Sequence, residues 1–174
     1  MKFYKTSTRI FLLYMCILPI FLKGSIITSS GLVEGIEQDD VITWKNIPYA
    51  MPPIKDLRWM APQPINDSSI VIDQLKPNGC VQEPSRYAGM SGKDVVGSED
   101  CLYLDIKSPK DALTLVSSSK AKKLPVMFWI HGGGNTTGYK DYYDFSEFVR
   151  QKQVVVVTIN SVSYTHLTLP TSTH

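Results

Sequence analysis

Between Gly31 and Trp44 the apolar positions fall into two short groups, Leu32-Val33 to Ile36 and Val41 to Trp44, on either side of Gln38-Asp39-Asp40. Two strand-length groups around a polar break predict a hairpin, and so a small antiparallel edge. The texture then changes: Pro48, Pro52, Pro53, Pro62 and Pro64 crowd into the stretch from Ile47 to Pro64. Their fixed φ angles and missing amides exclude a helix interior and a central strand, which leaves an extended coil. Residues 65–97 are loop-like, rich in Asn, Asp, Ser and Gly, and only Ile70 to Ile72 resemble a strand. Leu102 to Ile106 alternate as a strand does, and Ser108 to Lys123 read as a polar surface connection.

From Pro125 to Ile130 every residue is apolar, the pattern of a strand buried on both faces, and the run stops at His131-Gly132-Gly133-Gly134. Asp144 then precedes a short helix over Phe145 to Arg150, with an acid at its start and a base at its end as the helix dipole favours. Val154 to Ile159 form a second strand of the same apolar kind. Strand, loop, helix, strand is a βαβ unit, so the chain reads as α/β with a parallel sheet covered by helices on both faces.

The ends of the chain have their own character. Lys2, Lys5 and Arg9 precede a 13-residue apolar run, Ile10 to Leu22. That is the length of an export-signal core and short of the roughly 20 residues a bilayer span requires. Cleavage is expected between Gly24 and Ser30, which makes the product secreted or periplasmic; an uncleaved anchor or a buried helix is the alternative. With Lys23, this segment holds four of the 18 basic residues and none of the 16 acidic ones, so the remainder carries a net charge of −2 instead of +2. No basic patch is left for nucleic acid. The other proportions, 43% hydrophobic and 20% charged, are those of an ordinary globular chain rather than a disordered one. Cys16 would leave with the signal, and Cys80 and Cys101 remain as a possible disulfide or as two buried thiols. Nothing calls for a cofactor, and metal binding would need closer clusters of ligands.

Three consecutive glycines at the end of a core strand take backbone angles closed to other residues and leave their amides uncovered. Ester hydrolysis needs such donors where negative charge develops on the tetrahedral intermediate, and a His-Gly-Gly-Gly loop after a core strand supplies them in lipases and esterases. The competing use is a tight turn. Phosphate and dinucleotide loops are excluded, because neither Gly-x-x-x-x-Gly-Lys-Ser/Thr nor Gly-x-Gly-x-x-Gly is present at the loop.

Five separate motifs now occur in one order: Ile47-Pro48-Tyr49-Ala50 with Pro52-Pro53; Leu57-Arg58-Trp59 with Pro62-Gln63-Pro64; Ser98-Glu99-Asp100-Cys101-Leu102-Tyr103-Leu104; Trp129-Ile130-His131-Gly132-Gly133-Gly134; and Val155-Val156-Val157-Thr158-Ile159-Asn160. In these the chain resembles the type-B carboxylesterase family, which includes cholinesterases and the non-catalytic neuroligins. The resemblance runs from about Gly31 to Asn160. It implies the N-terminal part of an α/β-hydrolase fold, the small antiparallel edge plus the first strands of the central sheet. It further implies that Gly133 and Gly134 are the oxyanion-hole amides, that His131 and Gly132 support the loop, that Cys80 and Cys101 form a disulfide, and that Arg58 and Glu99 form a structural ion pair. A small carboxylic ester is the substrate class implied for the parent protein. The chain departs from the family in having Asn46 for a glycine, Asp105 for an asparagine and Asn135 where a large aromatic often stands. Asn66-Asp67-Ser68 and Asn135-Thr136-Thr137 match the glycosylation pattern, but a glycan at Asn135 would obstruct the loop, which leaves Asn66. Tyr139, Tyr142, Tyr143 and Phe145 could line a pocket or pack as core.

A serine esterase needs nucleophile, base and acid together. No Gly-x-Ser-x-Gly elbow is present, and Gly89-Met90-Ser91-Gly92 has the wrong spacing. The family places its triad after the position of Asn160. There this chain has Ser161 to His174, rich in Ser, Thr and Leu instead of the family's Tyr-Arg-Leu-Gly, and similar to translated adapter sequence. The expected division is an export signal over 1–24, the N-terminal part of a carboxylesterase domain over 25–160, and a non-homologous tail over 161–174. Two functions fit: part of a secreted ester hydrolase with a serine nucleophile, or part of an inactive adhesion relative. The chain alone should be inactive.

Overall fold

The computed structural model describes residues 24–75, 79–87, 89–112, 123–134 and 136–161. The export signal with Cys16, most of the connection before Lys123, Asn135, and the tail beyond Ser161 lie outside the described residues.

Strands β1 (Ile26–Thr28) and β2 (Gly31–Val33) pair antiparallel. Strands β3 (Ile36–Gln38) and β4 (Val41–Pro48) form a hairpin about the expected turn, but Leu32 and Val33 belong to β2 instead, and β4 runs on through Ile47 to Pro48, into the stretch expected to be coil. The hairpin's turn residues Asp39 and Asp40 have φ of 49° and 63°, the positive angles a two-residue turn needs to match strand twist. Strand β5 (Tyr103–Pro109) pairs antiparallel with β4 and, on its other side, with β7 (Val155–Ile159). Strand β6 (Val126–Ile130) lies parallel to β7, and helix α1 (Ser146–Lys152) crosses between them. The order β3-β4-β5-β7-β6 places β6 at an edge. The βαβ unit therefore supplies one parallel pair in a sheet that is otherwise antiparallel, because β5 runs against both its neighbours.

Pairing sorts the side chains onto two faces. On one, Val33, Ile42, Trp44, Ile47 and Ile72 form a core against Leu104 and Ile106. On the other, Val41, Val149 and Val156 pack with Met127, Phe145 and Val154 beneath α1. Val149 is fully buried, a burial that contributes about 1.5–3 kcal/mol. Asp144 sets the helix start: its carboxylate accepts from the Ser146 hydroxyl (2.6 Å) and amide (3.0 Å) and pairs with Lys107 (3.0 Å). The Ser146 hydroxyl leads in holding that carboxyl down, to about 2.

The described residues cover one face of β6: Met127 packs beneath α1 and Trp129 against Phe145, while Val126, Phe128 and Ile130 are 64%, 56% and 58% exposed. A continuous apolar run records what a strand requires on each face, and α1 supplies the cover for one of them.

Cys80 and Cys101 form a disulfide, with Cα atoms 5.0 Å apart across a sequence separation of 21. With Ala50 and Leu102 they make a small core that ties residues 80–101 to the start of β5. Opening a loop of this length should remove about 3 kcal/mol by the chain-entropy argument. The expected result is a lower urea midpoint for the Cys80→Ser, Cys101→Ser double variant; an unchanged midpoint would show that packing alone holds the loop.

Candidate active site: the glycine loop after strand β6

Strand β6 delivers the chain to His131, and the three glycines then reverse it. Gly133 has φ of 129°, and a Cβ there would lie 1.9 Å from the Thr137 carbonyl oxygen, so only glycine fits. The Gly133 carbonyl closes the turn by accepting from the amides of Thr136 and Thr137, both at 3.1 Å. The amides of Gly133 and Gly134 donate to no acceptor among the described residues. They are two uncommitted donors on a fixed turn at the end of a strand.

The His131 ring is threaded into this turn. Its Nδ1 donates to the Gly132 carbonyl at 2.9 Å, and its Nε2 accepts from the Ser161 amide at 3.3 Å. Those partners require the neutral ring with its proton on Nδ1. Gly138 lies against the ring, where a Cβ would stand 2.1 Å from Nδ1.

Beyond Gly138 the chain is pinned from below. The Lys140 amide donates to Asn160 Oδ1 at 2.9 Å, Asn160 Nδ2 donates to the Cys101 carbonyl at 3.0 Å, and the Tyr49 hydroxyl donates to the Asn160 carbonyl at 2.8 Å. Burial pushes the Tyr49 phenol up to about 12, so it remains a donor. The Lys140 ammonium, 1% exposed, contacts Asp105 and Asp141, each at 2.8 Å, and Asp105 is 4% exposed. Burial raises the Asp105 carboxyl to about 6, against the pull of Lys140 and with that of Asp141. The second Asp105 oxygen accepts from the Asn46 amide at 2.8 Å. Asn46 itself has φ of 57°, at the bulge between Trp44 and Ile47. That angle accounts for the family's glycine at this position and for asparagine as its replacement. The two departures noted in the sequence, Asn46 and Asp105, are thus in contact, and Lys140 is the partner that sequence reading missed. Its signal was weak: one lysine in a tyrosine-rich loop.

The remaining candidates lie around this centre. Arg58 Nε meets Glu99 Oε1 at 2.8 Å, with the side chains 50% and 43% exposed, so the pair joins the proline-rich coil to the segment before β5 at the surface. Exposed pairs contribute about 0–1 kcal/mol. Arg58→Ala is accordingly expected to shift the urea midpoint only slightly, and a loss comparable to the disulfide's would mean that the pair does more than fasten a surface. The aromatics divide between the two expected roles: Phe145 packs with the core beneath α1, and Tyr143 lines a cleft near that helix. Tyr143 and Phe145 set their rings edge-on to Trp129, at 5.6 and 5.3 Å, and Tyr142 stacks outward on Tyr143 at 4.6 Å. The cleft, of about 390 Å³, opens near α1, but none of residues 131–138 lines it, and its Lys107 is already engaged by Asp144 and Ser146. Asn66 is exposed. No metal-binding cluster occurs among the described residues, and no helix among them is long and apolar enough to cross a membrane.

A profile of the carboxylesterase family matches residues 23–161. The chain is 36% identical over 136 residues to the para-nitrobenzyl esterase of Bacillus subtilis strain 168, covering 76% of this chain and 26% of that protein. It is 43% identical over 141 residues to the fumonisin B1 esterase of Sphingopyxis macrogoltabida, covering 76% and 23%. Among solved structures, a PNB esterase superposes with a TM-score of 0.63 at 34% identity, over 79% of this chain and 27% of that one. A carboxylesterase from Geobacillus stearothermophilus gives 0.60 at 35% identity, over 78% and 26%. The chain spans about a quarter of the length of these relatives. On its sequence and on the fold that carries its glycine loop, this chain belongs to the carboxylesterase family.

Proposed function

We propose that this chain supplies the oxyanion-binding part of a secreted carboxylic-ester hydrolase that works through a serine nucleophile. The observation that carries the reading is the pair of uncommitted amides, Gly133 and Gly134, on a turn that only glycine can make. When a serine oxygen adds to an ester carbonyl, the carbonyl oxygen becomes an anion, and amides already aimed at that position stabilise it without reorganising. A third amide would follow the nucleophile, which belongs to chain beyond these residues. His131, with both ring nitrogens committed to backbone, braces the loop and is not the base. The arrangement over the whole chain is an export signal across 1–24, the hydrolase part across 25–160 and an unrelated tail across 161–174. The substrate is a small carboxylic ester, a reading supported by relatives that are named a para-nitrobenzyl esterase and a fumonisin B1 esterase.

The test is to sequence the genomic locus through the codon for Asn160. Continuation into Tyr-Arg-Leu-Gly and a Gly-x-Ser-x-Gly elbow, with covalent labelling of the full-length product by a fluorophosphonate, is the expected outcome. An elbow lacking serine would favour the adhesion relative, and a stop after His174 would remove the esterase reading. The 174-residue chain by itself is expected to show no labelling above a heat-denatured control.

A further inference from the structure

A side chain from a distant segment holds the glycine loop from outside. Gln82 lies two residues after Cys80 in the disulfide-closed loop and is 3% exposed. Its backbone is fixed by reciprocal hydrogen bonds with Val96, at 2.9 and 3.0 Å. Its carboxamide then treats Gly138 as a strand neighbour would: Nε2 donates to the Gly138 carbonyl at 2.9 Å, and Oε1 accepts from the Gly138 amide at 2.9 Å. The other Nε2 hydrogen goes to the Cys80 carbonyl at 3.0 Å, and the Met90 amide approaches Oε1 at 3.4 Å. All four hydrogen-bonding positions of the carboxamide are used.

Gly138 is the point at which such a hold would matter. It packs on His131 and on the Gly132 carbonyl, and Thr137 before it closes the turn onto Gly133. One end of the loop is anchored by β6; the other has Gln82 and, two residues on, the Lys140 amide on Asn160. A Cβ on Gly138 would collide with the histidine ring, so at this position the chain keeps its backbone bare and a side chain from a distant loop grips both backbone polar groups.

We infer that Gln82 is a positioning residue for the oxyanion donors: its two-point hydrogen bond to Gly138 fixes the turn from which the Gly133 and Gly134 amides project, and it does so from a loop secured by the Cys80–Cys101 disulfide. The inference rests on the reading of those amides as oxyanion donors. A shift of about 1 Å in a catalytic group can cost up to about 100-fold in rate, so a small loosening at Gly138 should register in the chemical step.

The experiment compares wild type, Gln82→Ala and Gln82→Glu by amide hydrogen exchange on the full chain, with kcat and KM measured on the full-length enzyme. In Gln82→Ala, protection at Gly138 and Thr137 is expected to fall by about tenfold or more, the effect of losing one to two net hydrogen bonds, while β5 and β7 amides change little. Gln82→Glu keeps the acceptor for the Gly138 amide and lacks a donor for its carbonyl when ionised, so protection and kcat, each relative to wild type at the same pH, should drop at pH 7 and recover toward pH 5. In the enzyme kcat should fall with KM nearly unchanged. Loop protection equal to wild type in both variants, or a kcat unaffected by either, overturns the proposal. If Gln82→Ala unfolds throughout, the Gln82→Glu pair of pH values decides, and a loss there that is uniform over β5, β7 and the loop also overturns it. A wild-type protein without esterase activity would remove the hydrolase reading, and the exchange data would still decide whether Gln82 holds the loop.

Discussion

Replacing Gly133 with alanine is expected to lower kcat/KM for a simple aryl ester by about 100-fold to 1000-fold in the full-length enzyme, the effect of losing one oxyanion donor. The cause is steric. An added Cβ meets the Thr137 carbonyl oxygen at 1.9 Å, and φ of 129° lies outside the range an alanine adopts without strain. The turn must open, and the amides of Gly133 and Gly134 lose their common direction. Gly134 is the internal control. Its φ of 62° is in the left-handed region, and a Cβ there has nothing within 4 Å. Gly134→Ala should therefore carry only the backbone cost of about 1 kcal/mol and a much smaller loss of rate. Equal activities for wild type and Gly133→Ala would remove Gly133 from the site, and a larger loss at Gly134 would mean that local geometry does not rank the two.

The second large effect concerns Lys140. Lys140→Met is expected to destabilise the protein by about 3–5 kcal/mol at pH 7, because it leaves the Asp105 carboxylate buried without its cation. The sign of the pH dependence follows from Asp105. Burial raises its folded-state pKa, to about 6 with Lys140 in place, above the unfolded value near 3.9. The folded state therefore holds this proton more tightly. The resulting stabilisation is fully present below about pH 4 and is lost as pH rises through the folded value. Removing Lys140 raises that value further, so the variant's deficit should shrink between pH 7 and pH 5. A second substitution, Asp105→Asn, supplies the uncharged residue of the family pattern and should recover much of the loss at pH 7. Urea unfolding of the two single variants and the double variant at both pH values measures this directly. A Lys140→Met protein within 1 kcal/mol of wild type at pH 7, or a deficit that does not change with pH, would show that the ion pair is not coupled to folding as described.

The two effects lie at opposite ends of one structure. Gly133 provides the bare amide, while Lys140 and Gln82 fix the far side of the loop, through Asp105 and Asn160 in one direction and through the disulfide loop in the other. Fastening of this kind is required because the loop makes few bonds of its own. Its closure depends on a single carbonyl, that of Gly133, accepting from Thr136 and Thr137.

Local features were legible in the sequence. The turn at Asp39-Asp40, the strand after Leu102, the short helix following Asp144 and the strand ending at Ile159 all depend on neighbours a few residues away, and the structure has each within a few residues of its expected place. The glycine loop was legible for the same reason, since a run of three glycines at a strand end marks a turn, although the structure leaves no room for a side chain at Gly133 alone of the three. The family motifs added the Cys80–Cys101 pairing, which counting alone had left open against two free thiols.

What only the tertiary structure decided are the partners chosen at long range. Hydrophobic periodicity marks which face of a strand avoids water, but it does not name the strand beside it, so the insertion of β5 between β4 and β7 and the edge position of β6 were not readable. The apolar run from Val126 to Ile130 specified a strand able to be buried on both faces, and the described residues cover one of them. A lysine and a glutamine in polar loops carry no mark of burial. Lys140 becomes an interior cation because Asp105, 35 positions away, offsets its desolvation, and Gln82 becomes a clamp because Gly138, 56 positions away, presents both of its backbone groups to one carboxamide. Backbone chemistry and sequence pattern set the elements and the glycine loop; which charges and amides could leave water was set by the partners that folding brought to them.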